Sequence, residues 1–276
     1  MSNHPQTESE KIFEQYLNEN DYSNWEFEPP ISGCSKRPDY LLRWASGEYL
    51  LEVKELHQKG EFQTGARNYD PYSGMRNEID EARKKFKENG FKNRPCSLVI
   101  FNLGDMDAMT GHPQVVFGAM LGDLGFSMKI DISMGEAVPD SEKNGFQGRA
   151  KMQPKRNTRI NAVIVLQQMA VYDPCYMRDV NRKLLEAEEI KKRPLEPVEA
   201  LEIQHAFINK FERRKSFVFH LVTHENPHAL FPLPEGLFCG TYDERWGIVD
   251  GILKLKFRGD GRQEQLSLRE KYPTIY

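Results

Sequence analysis

Two near-continuous apolar runs, Ser97-Leu98-Val99-Ile100-Phe101 and Asn161-Ala162-Val163-Ile164-Val165-Leu166, constrain this chain most. Successive side chains of a strand point to opposite faces, so a strand apolar at every position is buried on both sides and lies at the centre of a sheet. Helical stretches with one apolar face supply the cover. Glu8 to Asn20 carries Ile12, Phe13, Tyr16 and Leu17 on one side, with Thr7 as N-cap and Glu10 completing a capping box. Met75 to Glu88 carries the stripe Met75, Ile79, Ala82 and Phe86 and stops at Asn89-Gly90. The class expected is α/β.

At 276 residues the chain is one large domain, or a core with an elaborated second half. With 39% hydrophobic and 29% charged residues it reads as soluble. No run approaches the roughly 18 apolar residues of a membrane span, and the first residues lack a signal-peptide core, so a cytoplasmic protein is expected. The four cysteines, Cys34, Cys96, Cys175 and Cys239, form no CxxC pair, against a zinc ribbon or a disulfide scaffold. A net charge of −3 gives no global attraction to nucleic acid, so any phosphate-binding face is local.

Between the first two helical stretches lie the segments Lys36 to Trp44 and Tyr49 to Glu55, joined by Ala45-Ser46-Gly47-Glu48, the pattern of a β-hairpin with a four-residue loop. In the second segment Tyr49, Leu51 and Val53 share one face, and Leu50, Glu52 and Lys54 the other. Pairing Trp44 with Tyr49 sets Asp39 opposite Lys54, with Glu52 on the diagonal. The ordinary reading of such a patch is a cross-strand ion pair on a wet face. The chemical reading is a hard-oxygen site for Mg²⁺, built from the carboxylates of Asp39 and Glu52 and the Val53 carbonyl, with Lys54 beside the attacking water.

Pro38-Asp39 followed by Glu52-Val53-Lys54 resembles the PD-(D/E)xK nucleases, the restriction-endonuclease-like superfamily. The expected order of helix, strand, hairpin, helix and strand is similar to that family's αβββαβ core. The resemblance implies a central mixed sheet flanked by helices, with residues 1–110 as the first part of the nuclease core and 111–276 as a C-terminal α/β extension completing the same domain. It implies Asp39, Glu52 and the Val53 carbonyl as metal ligands, Mg²⁺ (or Mn²⁺) as cofactor, and Lys54 as the residue that orients or deprotonates water. It also implies an acidic residue from the first helix, Glu10 in preference to Glu14, although the cap alone explains Glu10. Arg76 and Arg83, seven apart beside the stripe of the second helix, match where the family often turns a polar side chain toward its site; snorkelling at the edge of a buried face is the alternative.

Further phosphate contacts are expected from Lys36 and Arg37 beside the hairpin and from the basic segment with Arg149, Lys151, Lys155, Arg156 and Arg159. His57 to Tyr72 reads as a long loop that gates or lines a groove, with His57 a lone histidine of a kind that is more often neither ligand nor base. In the second half, Pro113 to Leu121 reads as a helix begun by proline. Asp179 to Arg193 and Pro197 to Arg214 read as helices, and Phe126 to Ile132, Ser216 to Val222 and Trp246 to Phe257 as strands.

His224-Glu225-Asn226-Pro227-His228 fits HExxH, the zinc-metalloprotease pattern. Pro227 inside it, the strand alternation before it and the Pro-rich segment after it argue against the helix that chemistry needs. His220 joining the pair as a structural metal cluster is little better supported. The expectation is thus a Mg²⁺-dependent nuclease cleaving phosphodiester bonds. The resemblance favours DNA over RNA and fits a restriction or defence setting, although repair and mobile-element functions use the same core, and cutting both strands would call for a homodimer. A non-catalytic nucleic-acid-binding or assembly subunit on the same fold is the alternative, and a zinc protease through His224 and His228 the remote one.

Overall fold

The computed structural model describes residues 5–45, 47–56, 72–87, 91–102, 111–125, 128–131, 136–139, 145–147, 150–207 and 215–272. Its strands are β1 (Trp25–Phe27), β2 (Tyr40–Trp44), β3 (Gly47–Leu56), β4 (Cys96–Asn102), β5 (Asp123–Gly125), β6 (Met128–Asp131), β7 (Glu136–Pro139), β8 (Gly145–Gln147), β9 (Ile160–Tyr172), β10 (Lys215–Glu225), β11 (Glu244–Val249) and β12 (Ile252–Arg258). Its helices are α1 (Glu8–Glu19), α2 (Ser73–Lys85), α3 (Pro113–Leu121), α4 (Pro174–Lys191), α5 (Pro197–Ala206) and α6 (Asp260–Lys271). Eight strands form one mixed sheet in the order β1-β2-β3-β4-β9-β10-β11-β12, and β5-β8 and β6-β7 are small ribbons.

The continuous apolar runs are adjacent central strands: β4 pairs in parallel with β3 on one side and with β9 on the other. Leu98, Val99, Ile100, Val163, Ile164 and Val165 are all fully buried. Parallel neighbours need crossovers, and α2 carries the chain from β3 to β4. Its stripe Met75, Ile79, Ala82 and Phe86 is buried with Leu41 and Leu50 of the hairpin and with Val116, Phe117 and Met120 of α3. The helix α1 begins with the expected capping box: the Glu10 amide donates to the Thr7 hydroxyl at 3.3 Å and the Thr7 amide to the Glu10 carboxylate at 2.6 Å.

The hairpin departs from expectation in its loop. Pairing runs on to Trp44 opposite Gly47, so the connector is two residues, with Ala45 left-handed at φ 50°. Two-residue turns with positive φ match the twist of the strands, which favours the tighter closure. The register therefore moves by two positions: Tyr49 faces Leu42, not Trp44. A shift of two preserves the face of every side chain but, continued one step past the end of β2, brings Asp39 level with Glu52 rather than Lys54.

Elsewhere α4 starts at Pro174, earlier than expected, because the Asp173 carboxylate caps the amides of Cys175 and Tyr176 at 2.7 and 3.0 Å. The helix α6 has no counterpart among the expected elements. His57 to Pro71, Asn89-Gly90, Arg149 and 208–214 lie outside the described residues. No helix among the described residues is long and apolar enough to cross a membrane.

The chain divides into two compact units, one of residues 1–167, 221–238 and 245–257, the other of 168–220, 239–244 and 258–276. The second has its own core of Tyr176, Met177, Val180, Leu184, Phe207 and Tyr272. It also holds a buried His220, near Glu244, Arg258 and Arg262. Burial and the charge of Arg262 push the imidazole down to about 4, against the opposing pull of Glu244. A lowered folded-state pKa means stability that is present above the ordinary value of 6.5 and lost as pH falls from there toward 4. Relative to His220→Gln, the wild type is expected to lose up to about 3 kcal/mol more on going from pH 7 to pH 4. Urea unfolding at the two pH values measures it; equal losses would refute it.

Candidate metal and phosphate site

Residues of β3 alternate as expected. Glu55 faces α1, where its carboxylate accepts the Ser9 amide at 3.0 Å, while Glu52 and Lys54 face α2. Asp39, at the entrance to β2, shares the Glu52 face. Its Oδ2 accepts the Val53 amide at 2.7 Å, which ties the end of one strand to the middle of the next. The Lys54 ammonium lies 2.8 Å from Glu52 Oε1.

A residue not singled out from the sequence completes the group. Lys85, in the last turn of α2, places its ammonium 2.9 Å from Asp39 Oδ1 and in contact with Glu52 Oε2. Both carboxylates thus converge on one cationic centre. Only 3% of the Glu52 side chain is exposed, against 15% for Asp39 and Lys85 and 33% for Lys54. Apart from the ion contact with Lys85, Glu52 Oε2 accepts no well-aligned hydrogen bond from the described residues. Burial, and then the neighbouring Asp39 charge, raise the Glu52 pKa, while Lys85 and Lys54 pull it back. For Lys54 burial favours the neutral amine, but Glu52 first, with Asp39 and Glu78 behind it, outweighs burial and raises its pKa.

Helix periodicity explains why Lys85 belongs here. Glu78 and Lys85, seven apart, flank the buried stripe of α2 on one side, and Arg76 and Arg83 flank it on the other. From the sequence the arginine flank is the one expected at the site; in the structure it is the Glu78 and Lys85 flank that faces it.

The remaining candidates are distributed as follows. Glu10 is occupied by the α1 cap, and Glu14 accepts the Tyr40 hydroxyl at 3.1 Å. Tyr40 and Asp39 are consecutive and point to opposite faces, so α1 packs on the side away from Glu52 and Lys54. Burial and Glu14 together raise the Tyr40 pKa. Among the described residues no group of three or more His, Cys, Asp or Glu side chains gathers as a metal site.

Arg76 turns inward: it is 4% exposed, donates to the Gly118 carbonyl at 3.2 Å, pairs with Asp123 and lies over the Tyr72 ring at 4.8 Å. This bracing differs from the phosphate contact expected of it. Gly118 is needed there because a Cβ would overlap the Tyr72 ring. Arg83 lies 3.5 Å from Asp80, Lys151 pairs with the same carboxylate, and Arg159 donates to the Phe86 carbonyl at 2.9 Å. Lys36, Arg37, Lys155 and Arg156 are exposed. Lys36, with Lys54, adds to the positive field that lowers the Glu81 pKa, chiefly through Lys84, and so belongs to the same side of α2 as the site.

The HExxH segment does not form a helix. His224 and Glu225 end β10, His224 is fully buried with Nδ1 3.1 Å from the Val163 carbonyl, and its ring meets Phe117 edge-on at 5.6 Å. Histidines presented from a strand and the turn after it lack the one-turn spacing that the zinc pattern needs. The Glu225 carboxylate instead pairs with Arg245 and Lys256.

No protein-family model, curated protein or solved structure matches this chain.

Proposed function

We propose that this protein is a metal-dependent nuclease whose site is Asp39, Glu52 and Lys54, of the PD-(D/E)xK type. The observation that carries the reading is the convergence of two carboxylates from neighbouring strands on one cation, with a second ammonium alongside. The ammonium of Lys85 stands at that point for the charge a divalent ion would bring. Two hard carboxylate oxygens, with the Val53 carbonyl by resemblance, suit Mg²⁺ or Mn²⁺. When bound, the metal supplies a nucleophile at neutral pH and a counter-charge for the phosphorane-like transition state. Glu52 is buried in a low-dielectric setting, where its attraction to a bound cation is strong. Lys54, as an ammonium, orients water and offsets charge on the phosphate oxygens. Lys36, Arg37, Lys155 and Arg156 are the exposed cations for the nucleic-acid backbone, and DNA is the substrate the resemblance favours.

The test is a cleavage panel of supercoiled, linear and single-stranded DNA and RNA with Mg²⁺ or Mn²⁺, using wild type, Asp39→Ala and Lys54→Ala. Metal-dependent cleavage lost in both variants is expected. No cleavage of any substrate, or cleavage untouched by the variants, refutes the reading.

A second reading, a nucleic-acid-binding or assembly subunit, is favoured by the pairing of both carboxylates with lysine ammoniums, which satisfies their charge without a metal. It predicts DNA retention without cleavage and melting that is indifferent to Mg²⁺.

A further inference from the structure

We infer that Lys85 is an internal cation that a divalent metal displaces, so that the site is sealed without metal and becomes positively charged with it. The inference rests on the nuclease reading above and concerns a residue that reading does not require. Its basis is geometric. The Lys85 ammonium sits at the point on which Asp39 Oδ1 and Glu52 Oε2 converge, and a metal held by the same two oxygens cannot share it.

Charge gives the displacement a purpose. Asp39 and Glu52, with Glu78 beside Lys54, outnumber Lys54 and Lys85, so without metal the buried Glu52 is compensated and the cluster, at about −1, repels a phosphate. A divalent ion raises the same cluster to about +1, opposite in sign to the negative charge that develops on a phosphodiester under attack. The long, unbranched Lys85 side chain starts from the last turn of α2, beside the exposed Lys84, so its ammonium can swing outward by rotamer change without moving the helix. Released, it adds a second ammonium for the substrate beside Lys54. Lys85 is thus a positioning residue that couples metal entry to phosphate affinity.

The apparent metal affinity then carries the cost of expelling the ammonium, a cost that Lys85→Gln removes. Calorimetric titration of the full chain with Mg²⁺ is expected to give binding about tenfold tighter or more in Lys85→Gln than in wild type, and none in Asp39→Ala. A second measurement needs no variant: reductive methylation of wild-type protein, quantified by mass spectrometry, is expected to modify Lys85 at least about threefold more with Mg²⁺ than without, relative to Lys84. Asp39-dependent Mg²⁺ binding with unchanged or reduced Lys85 labelling, or with equal or weaker affinity in Lys85→Gln, overturns the inference and leaves the nuclease reading standing. Absence of Asp39-dependent Mg²⁺ binding in both wild type and Lys85→Gln overturns both.

Discussion

Glu52→Gln is expected to lower metal-dependent cleavage by about 10³-fold or more, while Glu10→Ala leaves the rate within about threefold of wild type. The amide keeps the shape of the Glu52 side chain but removes the charge that, with Asp39, holds a cation. At 3% exposure nothing from solvent replaces it. Glu10 serves the helix instead, because its carboxylate receives the Thr7 amide, and losing half of the capping box costs about 1 kcal/mol of stability. Single-turnover cleavage and urea unfolding on the same three proteins separate the two effects. A large rate loss in Glu10→Ala at unchanged stability would place α1 in the metal site after all. A small loss in Glu52→Gln would remove the site itself.

Arg76→Ala carries the largest expected cost in stability, about 2 to 3 kcal/mol, because it removes a buried guanidinium together with its hydrogen bond to Gly118, its ion pair with the partly exposed Asp123 and its place over Tyr72. Those contacts bind α2 to α3, and α2 carries Lys85, so cleavage is expected to fall in parallel with folded fraction rather than through weaker DNA binding. Lys155→Ala and Arg156→Ala, at exposed positions, are expected to change stability by less than about 0.5 kcal/mol and to reduce the salt dependence of DNA binding. Denaturant midpoints and salt-titrated binding on the three variants decide. A stable Arg76→Ala protein with weakened DNA binding would restore that arginine to the phosphate face.

Much of the core was legible because its signals are local. Ser97 to Phe101 and Asn161 to Leu166 state their burial on both faces residue by residue, Thr7 and Glu10 state a helix start, and the alternation of Glu52 with Val53 states a shared face with Lys54. The hairpin turn was less legible. A loop of four and a loop of two differ by whether Ala45 accepts a left-handed backbone, which depends on how the flanking strands twist against their neighbours. The HExxH match was discounted from the sequence for a reason the structure bears out: five residues match a pattern whose meaning lies in the helix around it, and the residues before it belong to β10.

Sequence alone determined the class, the order of elements from α1 to β4, and which residues of β3 share a face, since each follows from periodicity along one segment. Tertiary structure decided what those residues meet. Periodicity offers two equivalent flanks of α2, Arg76 with Arg83 or Glu78 with Lys85, and only the crossing of the helix over the sheet selects one. That choice brings Lys85 between Asp39 and Glu52, commits Arg76 to α3 and leaves Glu10 and Glu14 with α1 on the other face. Contacts between segments far apart in the chain depend on how helices and strands pack, and no single segment encodes that.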